Sequence, residues 1–269
     1  MKGHAFIVIV ALGAIVFGCS QAPEATKRVE VSTPKGPETA SKLSGLKSDV
    51  VEPGKGEGAK VGDMLTMLYR GTLANGTVFD GNMDENHKAL TGKDPFALTL
   101  GMGMVIKGWD QGLVGMKVGE IRKLEIPAAL GYGEQATGAI PPNSDLYFTV
   151  KCLDIIRQGE EMVIDTTEVK TGSGPAVKNG DKVSIHYVGK LLNDKQFDSS
   201  RDRKAPFVFT VGKGEVVPGF DKGVIGMKKG GIRKLRIPPQ AAYGADPMGG
   251  IPANSVLLFE IELLAINGK

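Results

Sequence analysis

Cysteine and histidine are scarce in this sequence of 269 residues, which limits the chemistry it can carry. Only two cysteines and three histidines are present. His4, His87 and His186 stand far apart and show no spacing typical of metal ligands. We therefore predict no metal site and no cofactor.

One of the two cysteines lies in a segment that resembles a strand. Cys152 falls within YFTVKCLDII, where apolar residues alternate with others. If Cys19 carries a lipid, as argued below, Cys152 has no partner for an intramolecular disulfide. We expect it to be a buried structural residue.

An excess of charge of one sign is also missing. The 33 lysines and arginines are nearly balanced by 30 aspartates and glutamates, and the net charge is +3. A protein that binds nucleic acid usually gathers basic residues on one face. We predict no nucleic-acid partner.

Long hydrophobic runs are limited to the N-terminus, where residues 5–17 are apolar and follow Lys2. This run is too short to span a bilayer core of about 30 Å comfortably, but it suits a secretory signal. The ending VFGC resembles a bacterial lipobox, so we predict a signal peptide over residues 1–18 and lipidation of Cys19. An uncleaved anchor and an ordinary signal peptide are the alternatives.

The segment after Cys19 has the composition of a flexible tether. It is rich in Pro, Ser, Thr, Lys and Glu and almost lacks large apolar residues, so ordering it would bury too little surface. We assign residues 19–45 to this tether, which would reach roughly 25–30 Å from a membrane.

Glycine and proline are abundant, with 38 and 15 residues, which favours turns and short strands. The remaining chain also repeats itself. Phe79-Asp80 matches Phe197-Asp198 at an offset of 118 positions, whereas Trp109 matches Phe220 at an offset of 111. The change in offset indicates a seven-residue insertion in the first copy, between Asp80 and Pro95. We predict a first domain over residues 46–157, a linker over 158–162 and a second domain over 163–269.

Each copy has several segments with the alternation of strands. LTMLYRG, IRKLEIP and LYFTVKCLDI in the first copy correspond to VSIHYVG, IRKLRIP and LLFEIELLAI in the second. Trp109, Leu113 and Met116 instead recur at i, i+4 and i+7, which predicts one short amphipathic helix that includes all three. We predict an α+β fold in which each antiparallel sheet covers its apolar face with this helix.

Several kinds of site can be set aside. The segment GMGMVI lacks the third glycine and the βαβ context of a dinucleotide-binding loop. No serine or cysteine stands near a plausible histidine partner in both copies, as a catalytic nucleophile would require. The shared aromatic residues could simply fill one side of a sheet.

Taken together, the motifs resemble the FKBP-type peptidyl-prolyl cis-trans isomerases. YRGTLANGTVFD, PFALTLGMGMVIKGWDQGLVGM, LGYG and AIPPNS carry the resemblance in the first copy, and HYVGKLLNDKQFDSSRDR, VGKGEVVPGFDKGVIGM, AAYG and GIPANS carry it in the second. It covers nearly all of residues 46–268. It implies two tandem domains, each a half-barrel wrapped around one short helix, with an aromatic pocket for a proline ring.

The resemblance also implies the site residues. The catalytic positions would be Asp80, Tyr132 and Ile106 in the first copy and Asp198, Tyr243 and Val217 in the second. The substrate-binding positions would be Tyr69, Phe79, Phe96, Val105, Trp109, Ile140 and Phe148, and then Tyr187, Phe197, Arg203, Phe207, Val216, Phe220, Ile251 and Phe259.

Three roles are hypotheses. The backbone N–H of Ile106 or Val217 would bind a carbonyl that flanks the proline, and the hydroxyl of Tyr132 or Tyr243 would donate to another. Asp80 or Asp198 would act on the rotating carbonyl electrostatically, or order the neighbouring tyrosine.

The two copies depart from each other in this pattern. The first copy keeps Trp109, which would form the floor of the proline pocket, but lacks the arginine that follows Phe-Asp. The second copy keeps Arg203 and has Phe220 at the position of the floor. Because phenylalanine is smaller and lacks the indole N–H, we expect a functional but weaker pocket in the second copy.

These features predict an isomerase, or rotamase, that accelerates X-Pro isomerisation by a non-covalent mechanism while proteins fold outside the cytoplasm. The alternatives are a non-catalytic chaperone or peptide-binding module, and a structural envelope protein. The expected partners are proline-containing polypeptides and, through Cys19, a membrane; we expect a monomer. It would face the periplasm from the outer membrane in a cell with two membranes, and the exterior in a cell with one.

Overall fold

The computed structural model describes residues 41–269, so Cys19 and the proposed signal peptide lie outside the described residues. Within this range no helix is long and apolar enough to cross a membrane. The described chain forms two large antiparallel sheets, each with one short α-helix.

Six strands build the first sheet. They are β1 (Lys47–Glu52), β2 (Met64–Leu73), β3 (Val78–Gly81), β4 (Phe96–Thr99), β5 (Ile121–Ile126) and β6 (Leu146–Ile156). The order is β1-β5-β6-β2-β3, and β4 also pairs with β2. The helix α1 (Lys107–Gly112) lies between β4 and β5 in the chain, and a 3-10 turn follows at Ala128–Leu130.

The second copy repeats this arrangement. Its main sheet contains β7 (Asp165–Lys170), β9 (Lys182–Lys190), β10 (Gln196–Ser199), β11 (Phe207–Thr210), β13 (Ile232–Ile237) and β14 (Leu257–Ile266). The order is β10-β9-β14-β13-β7, and β11 pairs with β9. The helix α2 (Pro218–Gly223) and a 3-10 turn at Pro239–Ala241 match those of the first copy, and β8 (Ser173–Ala176) pairs with β12 (Lys228–Lys229). The predicted α+β fold is confirmed.

The helix is shorter than its apolar spacing predicts. Helix α1 ends at Gly112, with Leu113 at its C-cap, and Met116 follows the turn at Gly115, whose φ is +76°. A positive φ is readily adopted by glycine and ends the helical path. The prediction that one helix includes Trp109, Leu113 and Met116 was therefore wrong, although all three are buried.

Glycines bring each helix close to its sheet. A Cβ on Gly108 would lie 2.4 Å from Cγ2 of Ile126, and one on Gly112 would lie 2.8 Å from Cδ2 of Leu124. In the second copy, Gly219 and Gly223 face Ile237 and Leu235 in the same way. Larger residues would push the helix away from strand β5 or β13, so these glycines set the depth of the site described below.

Polar contacts join the two copies. Arg236 of β13 donates to Asp154 of β6, at 2.5 Å from Nη2 to Oδ2. At a second point, Nζ of Lys195 lies 3.1 Å from Oδ1 of Asp94. Asp94 ends the loop that is seven residues longer in the first copy than in the second, so this longer loop touches the second copy.

The end of the first copy is held by the buried carboxylate of Asp63. It accepts hydrogen bonds from the backbone N–H of Lys60 and Gln158, at 2.9 and 3.1 Å, and pairs with Nη1 of Arg157 at 2.7 Å. Burial alone would raise the pKa of Asp63, but these bonds and the arginine charge outweigh it and leave the pKa below its usual value. Asp181 holds the same position in the second copy, where Nδ2 of Asn267 donates to it instead of an arginine.

We predict that Asp63→Asn lowers the free energy of unfolding of the first copy by about 2–3 kcal/mol at pH 7, because Arg157 loses its carboxylate. Because folding lowers the pKa of Asp63, its contribution is present at neutral pH and is lost below about pH 4, as the pH falls through the folded-state value. Wild type and variant should therefore converge in acid. Denaturant titration followed by the fluorescence of Trp109, the chain's only tryptophan, measures this.

Asp181→Asn is the matched control. It removes a carboxylate that an asparagine side chain and a backbone N–H hold, so its cost should stay near 1 kcal/mol. Circular dichroism measures this cost, because the second copy has no tryptophan. Equal losses in the two variants would contradict the importance assigned to Arg157.

Candidate active site

An aromatic cluster surrounds Trp109 in the first copy. The ring centroid of Trp109 lies 5.3 Å from that of Tyr69, 6.0 Å from Phe96 and 5.1 Å from Phe148, with interplanar angles of 76–83°. Phe79 meets Phe148 edge to face at 5.5 Å. These are favourable edge-to-face contacts, and they bring together side chains from β2, β3, β4, β6 and α1.

A glycine makes part of this packing possible. A Cβ on Gly71 would lie 2.6 Å from Phe79 and 2.7 Å from Phe148. Gly189 is related in the same way to Phe197 and Phe259. Each glycine leaves room for the edge-to-face phenylalanine pair on the next strands.

The wall and rim residues complete the first cluster. Val105, Ile106 and Tyr132 are partly buried against it, and Ile140 is buried within it. The structure thus brings every predicted site residue of the first copy into or beside one cluster, because Asp80 also contacts it through Tyr69. Trp109, Ile140 and Phe148 are buried, whereas the other predicted site residues of the first copy keep part of their surface exposed.

The polar group at the edge of the cluster is a tyrosine–aspartate pair. The hydroxyl of Tyr69 donates to Oδ2 of Asp80 at 2.6 Å, and the backbone N–H of Gly81 donates to Oδ1 at 2.8 Å. Burial, followed by the bond to Asp80, raises the pKa of Tyr69. Its hydroxyl therefore stays protonated at neutral pH, and it holds the carboxylate in one orientation.

Tyr132 faces the same carboxylate. Burial raises the pKa of Tyr132, and the negative charge of Asp80 raises it further. The hydroxyl remains a hydrogen-bond donor at neutral pH, as the predicted role requires.

The backbone N–H of Ile106 is the other donor of the site. Ile106 precedes α1 as its N-cap, and within residues 41–269 its N–H makes no backbone hydrogen bond. The same holds for Val217 before α2. An unused donor beside an apolar cluster is suited to bind a carbonyl of a peptide.

The second copy reproduces this arrangement around Phe220. The centroid of Phe220 lies 5.8 Å from Tyr187 and 4.9 Å from Phe259, and Phe197 meets Phe259 at 5.5 Å. Phe207 lies 5.8 Å from Tyr187. The wall and rim residues Val216, Val217 and Ile251 belong to or pack on the same cluster.

Tyr243 departs from the pattern of its counterpart. It is exposed, and it is not among the residues packed on the second cluster, whereas Tyr132 packs on the first. The rim tyrosine of the second copy is therefore held less firmly by its surroundings.

Arg203 is bound into the polar pair of the second copy. It pairs with Asp198, and its Nη2 donates to the hydroxyl of Tyr187 at 2.8 Å, while that hydroxyl also donates to Asp198. Burial pushes the pKa of Asp198 upward, but the bonds from Tyr187 and Arg203 outweigh it and leave the pKa below its usual range. Arg203 thus compensates the charge of Asp198, whereas the matching Asp80 forms no salt bridge within residues 41–269.

One residue that sequence reasoning missed explains the floor of the second copy. Phe209 of β11 is buried, and its ring lies 5.9 Å from that of Phe220. The first copy has Leu98 at the matching position, also buried. The smaller Phe220 therefore packs against a phenylalanine where the first copy has a leucine. The combined volume of the two side chains is thus similar in the two copies. The offset of 111 positions could have revealed this exchange.

A second missed feature positions the tyrosine of each pair. Oδ1 of Asn82 accepts a hydrogen bond from the backbone N–H of Tyr69 at 2.7 Å, and Oγ of Ser200 accepts one from Tyr187 at 2.9 Å. Both residues stand two positions after the aspartate of the site. Each closes the strand that carries the aspartate onto the strand that carries the tyrosine.

The site as a whole defines a class of protein. It offers an aromatic cluster, a backbone donor and a tyrosine hydroxyl, which suit the binding of an apolar group flanked by carbonyls. Such an arrangement is suited to bind a peptide and to act on it through shape and polarity.

The comparisons with known proteins identify the family. Residues 55–153 and 174–264 match the family model of the FKBP-type peptidyl-prolyl cis-trans isomerases. The chain is 37% identical over 214 residues to peptidyl-prolyl cis-trans isomerase FKBP10 of Mus musculus, a match that covers 77% of this chain and 35% of that protein. It is 36% identical over 206 residues to FKBP9 of Homo sapiens, covering 76% and 35%. The chain belongs to the FKBP-type peptidyl-prolyl cis-trans isomerase family.

The matches do not extend over the whole of these relatives. The chain spans about a third of their length. Among solved structures, FkpA from Escherichia coli is 42% identical, covering 38% of this chain and 47% of that one, with a TM-score of 0.36.

The first copy has Trp109 and Leu98 where the second has Phe220 and Phe209, which predicts that these two positions are energetically coupled. Phe220→Trp alone should destabilise the second copy by about 1–3 kcal/mol, because Phe209 already fills the space that an indole needs. Phe209→Leu should make room, so the double variant should be more stable than the sum of the single variants predicts, by about 1–2 kcal/mol. Denaturant unfolding of the four proteins, followed by circular dichroism, measures this coupling.

The first copy provides the mirror experiment with Leu98→Phe and Trp109→Phe. A coupling of the same sign is expected there. Strictly additive effects in both copies would show that the two positions do not share a volume.

Proposed function

We propose that the chain is a peptidyl-prolyl cis-trans isomerase that acts on X-Pro bonds of unfolded polypeptides. The observation that carries this proposal is the paired arrangement of an aromatic cluster and an unused backbone N–H, at Trp109 and Ile106 and again at Phe220 and Val217. The cluster suits a proline ring, and the N–H suits a carbonyl beside it.

The reaction requires few catalytic groups. Amide resonance opposes rotation about the X-Pro bond with a barrier of about 18–20 kcal/mol. At the top of the barrier the bond is twisted and the nitrogen is pyramidal, so the amide is less polar than in its planar form. No covalent bond breaks. An apolar pocket that favours the twisted form over the planar one lowers the barrier.

The polar groups then orient the peptide. Ile106 would bind one carbonyl through its N–H, and Tyr132 would donate to another. Asp80, oriented by Tyr69 at 2.6 Å, would act electrostatically on the carbonyl that rotates. In the second copy, Arg203 pairs with the aspartate, so this electrostatic action would be weaker there.

The comparison of the copies supports a ranking. The second copy has a benzene ring at its floor, a neutralised aspartate and an exposed rim tyrosine. The first copy has an indole floor, an aspartate held by Tyr69 and the backbone N–H of Gly81 but by no arginine among the described residues, and a partly buried rim tyrosine. We therefore propose that both copies are active and that the first is faster.

We predict that Asp80→Leu lowers the kcat/KM of the first copy on a prolyl peptide by about ten-fold, the size of one lost electrostatic contact in the transition state. The total rate of the full chain should then fall toward the share that the second copy supplies. Asp198→Leu should reduce the total rate less, because the second copy contributes the smaller share. An NMR exchange or protease-coupled assay on the full chain measures both, with circular dichroism to verify folding.

Asp80→Asn is the matched control. It keeps the size of the side chain and the hydrogen bond from the Tyr69 hydroxyl, but it removes the negative charge of the carboxylate. A wild-type rate for Asp80→Leu would remove the carboxylate from the mechanism. If suppression of client aggregation persists in a variant without turnover, the chain is a binding chaperone instead.

The place of action is also proposed. The short apolar segment and VFGC at residues 16–19 support lipidation of Cys19, and the tether after it supports domains held near a membrane outside the cytoplasm. In bacterial cells supplied with a labelled fatty acid, the wild type should take up the label and Cys19→Ala should not. Equal labelling of both would refute the anchor.

A further inference from the structure

We propose that Asp145 is a positioning residue of the first pocket. Its carboxylate joins the segment Ser41–Leu43 to the loop that carries Tyr132, so this segment forms part of the site although it lies outside the aromatic cluster. The second pocket lacks this connection. The inference rests on the proposed function of the same site and adds a residue on which the orientation of Tyr132 depends.

Asp145 is a buried carboxylate whose oxygens bind two separate parts of the chain. It is 8% exposed. Oδ2 accepts hydrogen bonds from the backbone N–H of Lys42 at 2.7 Å and of Leu43 at 3.2 Å. Oδ1 accepts one from the hydroxyl of Ser41 at 2.5 Å and one from the backbone N–H of Ala128 at 3.2 Å. A buried carboxylate needs such donors to offset its lost hydration, so the loss of Asp145 would release both parts at once.

Ala128 extends this connection to Tyr132. Its carbonyl accepts hydrogen bonds from the backbone N–H of Gly131 at 3.0 Å and of Gly133 at 2.9 Å. These two glycines are the neighbours of Tyr132 in the chain. Because both backbone groups of Ala128 are engaged, the loop is fixed in the conformation in which Tyr132 packs on the aromatic cluster.

The second copy has replaced both partners of the bond between Asp145 and Ala128. Val256 stands at the position of Asp145. Pro239 stands at the position of Ala128 and has no N–H to donate. The carbonyl of Pro239 still accepts hydrogen bonds from the residues on either side of Tyr243, at 2.8 and 2.7 Å. The two loops thus share the contacts on the carbonyl side and differ on the side that Asp145 holds.

The residues that cover this position also differ between the copies. Residues 159–161 match Ser41–Leu43 at the offset of 118 positions, but there the backbone N–H of Gly159 donates to the side chain of Glu161. Val256 is 2% exposed and lines a small cavity together with Pro95 of the first copy. A hydrogen-bonded carboxylate in the first copy therefore corresponds to an apolar contact between the copies.

The packing of the two rim tyrosines follows this difference. Tyr132 packs on the aromatic cluster of the first copy, whereas Tyr243 is 36% exposed and does not pack on that of the second. The copy with the bond between Asp145 and Ala128 is thus the one whose tyrosine is held at the pocket. A hydroxyl that is already in place loses less freedom when it binds a peptide carbonyl. Asp145 should therefore strengthen binding at the first pocket.

Trp109 fluorescence reports binding at the first pocket alone, because the chain has no other tryptophan. A blocked tetrapeptide with one proline is titrated into the full chain. The variant Asp145→Val/Ala128→Pro introduces the residues of the second copy, whose 3-10 turn accommodates a proline at this position. It should weaken binding by about five-fold, the equivalent of one hydrogen bond.

The role of Tyr132 is tested in the same titration. Tyr132→Phe should weaken binding by a similar factor. Because Asp145 acts through the hydroxyl of Tyr132, adding Asp145→Val/Ala128→Pro to Tyr132→Phe should cause no further loss.

Asp63→Asn is the matched control. It also changes a buried carboxylate of the first copy and lowers its stability, but it should leave the dissociation constant unchanged. Circular dichroism verifies that each variant is folded. If the variant Asp145→Val/Ala128→Pro is unfolded, Asp145→Asn takes its place. Asparagine keeps only one acceptor oxygen and should weaken binding by about three-fold.

Three results would overturn the proposal: an unchanged dissociation constant in a folded Asp145 variant, an equal loss in Asp63→Asn, or a further loss of the same size in the Tyr132→Phe background. Isomerisation of a peptide that leaves Trp109 unaffected would overturn it too, because the second pocket would then be the active one. Binding with the expected pattern but without acceleration of isomerisation would support the role of Asp145 and refute the enzyme. If the peptide neither changes the fluorescence nor is isomerised, the proposed function and the role of Asp145 are both refuted.

Discussion

The close approach of the short helix to its sheet is the constraint on which each site depends. Gly108 and Gly112 have no side chain toward β5, so α1 lies directly on Ile126 and Leu124. This depth brings Trp109 within 5.1–6.0 Å of three aromatic rings from three strands. A larger residue at either glycine would raise the helix, separate the rings and move the Ile106 N–H. The site is thus a consequence of backbone packing more than of any single polar group.

The distinction between core and pocket is one of degree in this fold. The rings that stabilise each sheet also form the surface that would contact a proline. Trp109 illustrates the compromise, because its indole nitrogen is buried and has no hydrogen-bond partner within residues 41–269. Such a donor usually costs about 1–3 kcal/mol. Phe220 avoids this cost, and Phe209 restores the packing beneath it. The second copy therefore lacks the buried indole N–H at its floor, while the combined volume of the two packed side chains is conserved.

Much of this arrangement could be predicted from the sequence, because the chain contains its own comparison. The two offsets align Trp109 with Phe220, and the period-2 segments predict the central strands. The exposed edge strands β1 and β7 were missed, since neither face is buried and no alternation results. The end of α1 was missed because apolar spacing continues through a glycine turn. Asn82 and Ser200 occupy matching positions but differ in type, so their common role is visible only in the hydrogen bond that each accepts from a tyrosine N–H.

The longer loop of the first copy makes a contact with the second copy that is not reciprocated. Asp94 meets Lys195, and the backbone carbonyl of Lys93 accepts a hydrogen bond from Asn193. The second copy has no loop of that length to make the reciprocal contact. The two copies therefore contribute different residues to this junction, and a chain with two second copies would lack it. The two copies thus differ both in the chemistry of their pockets and in the residues through which they contact each other.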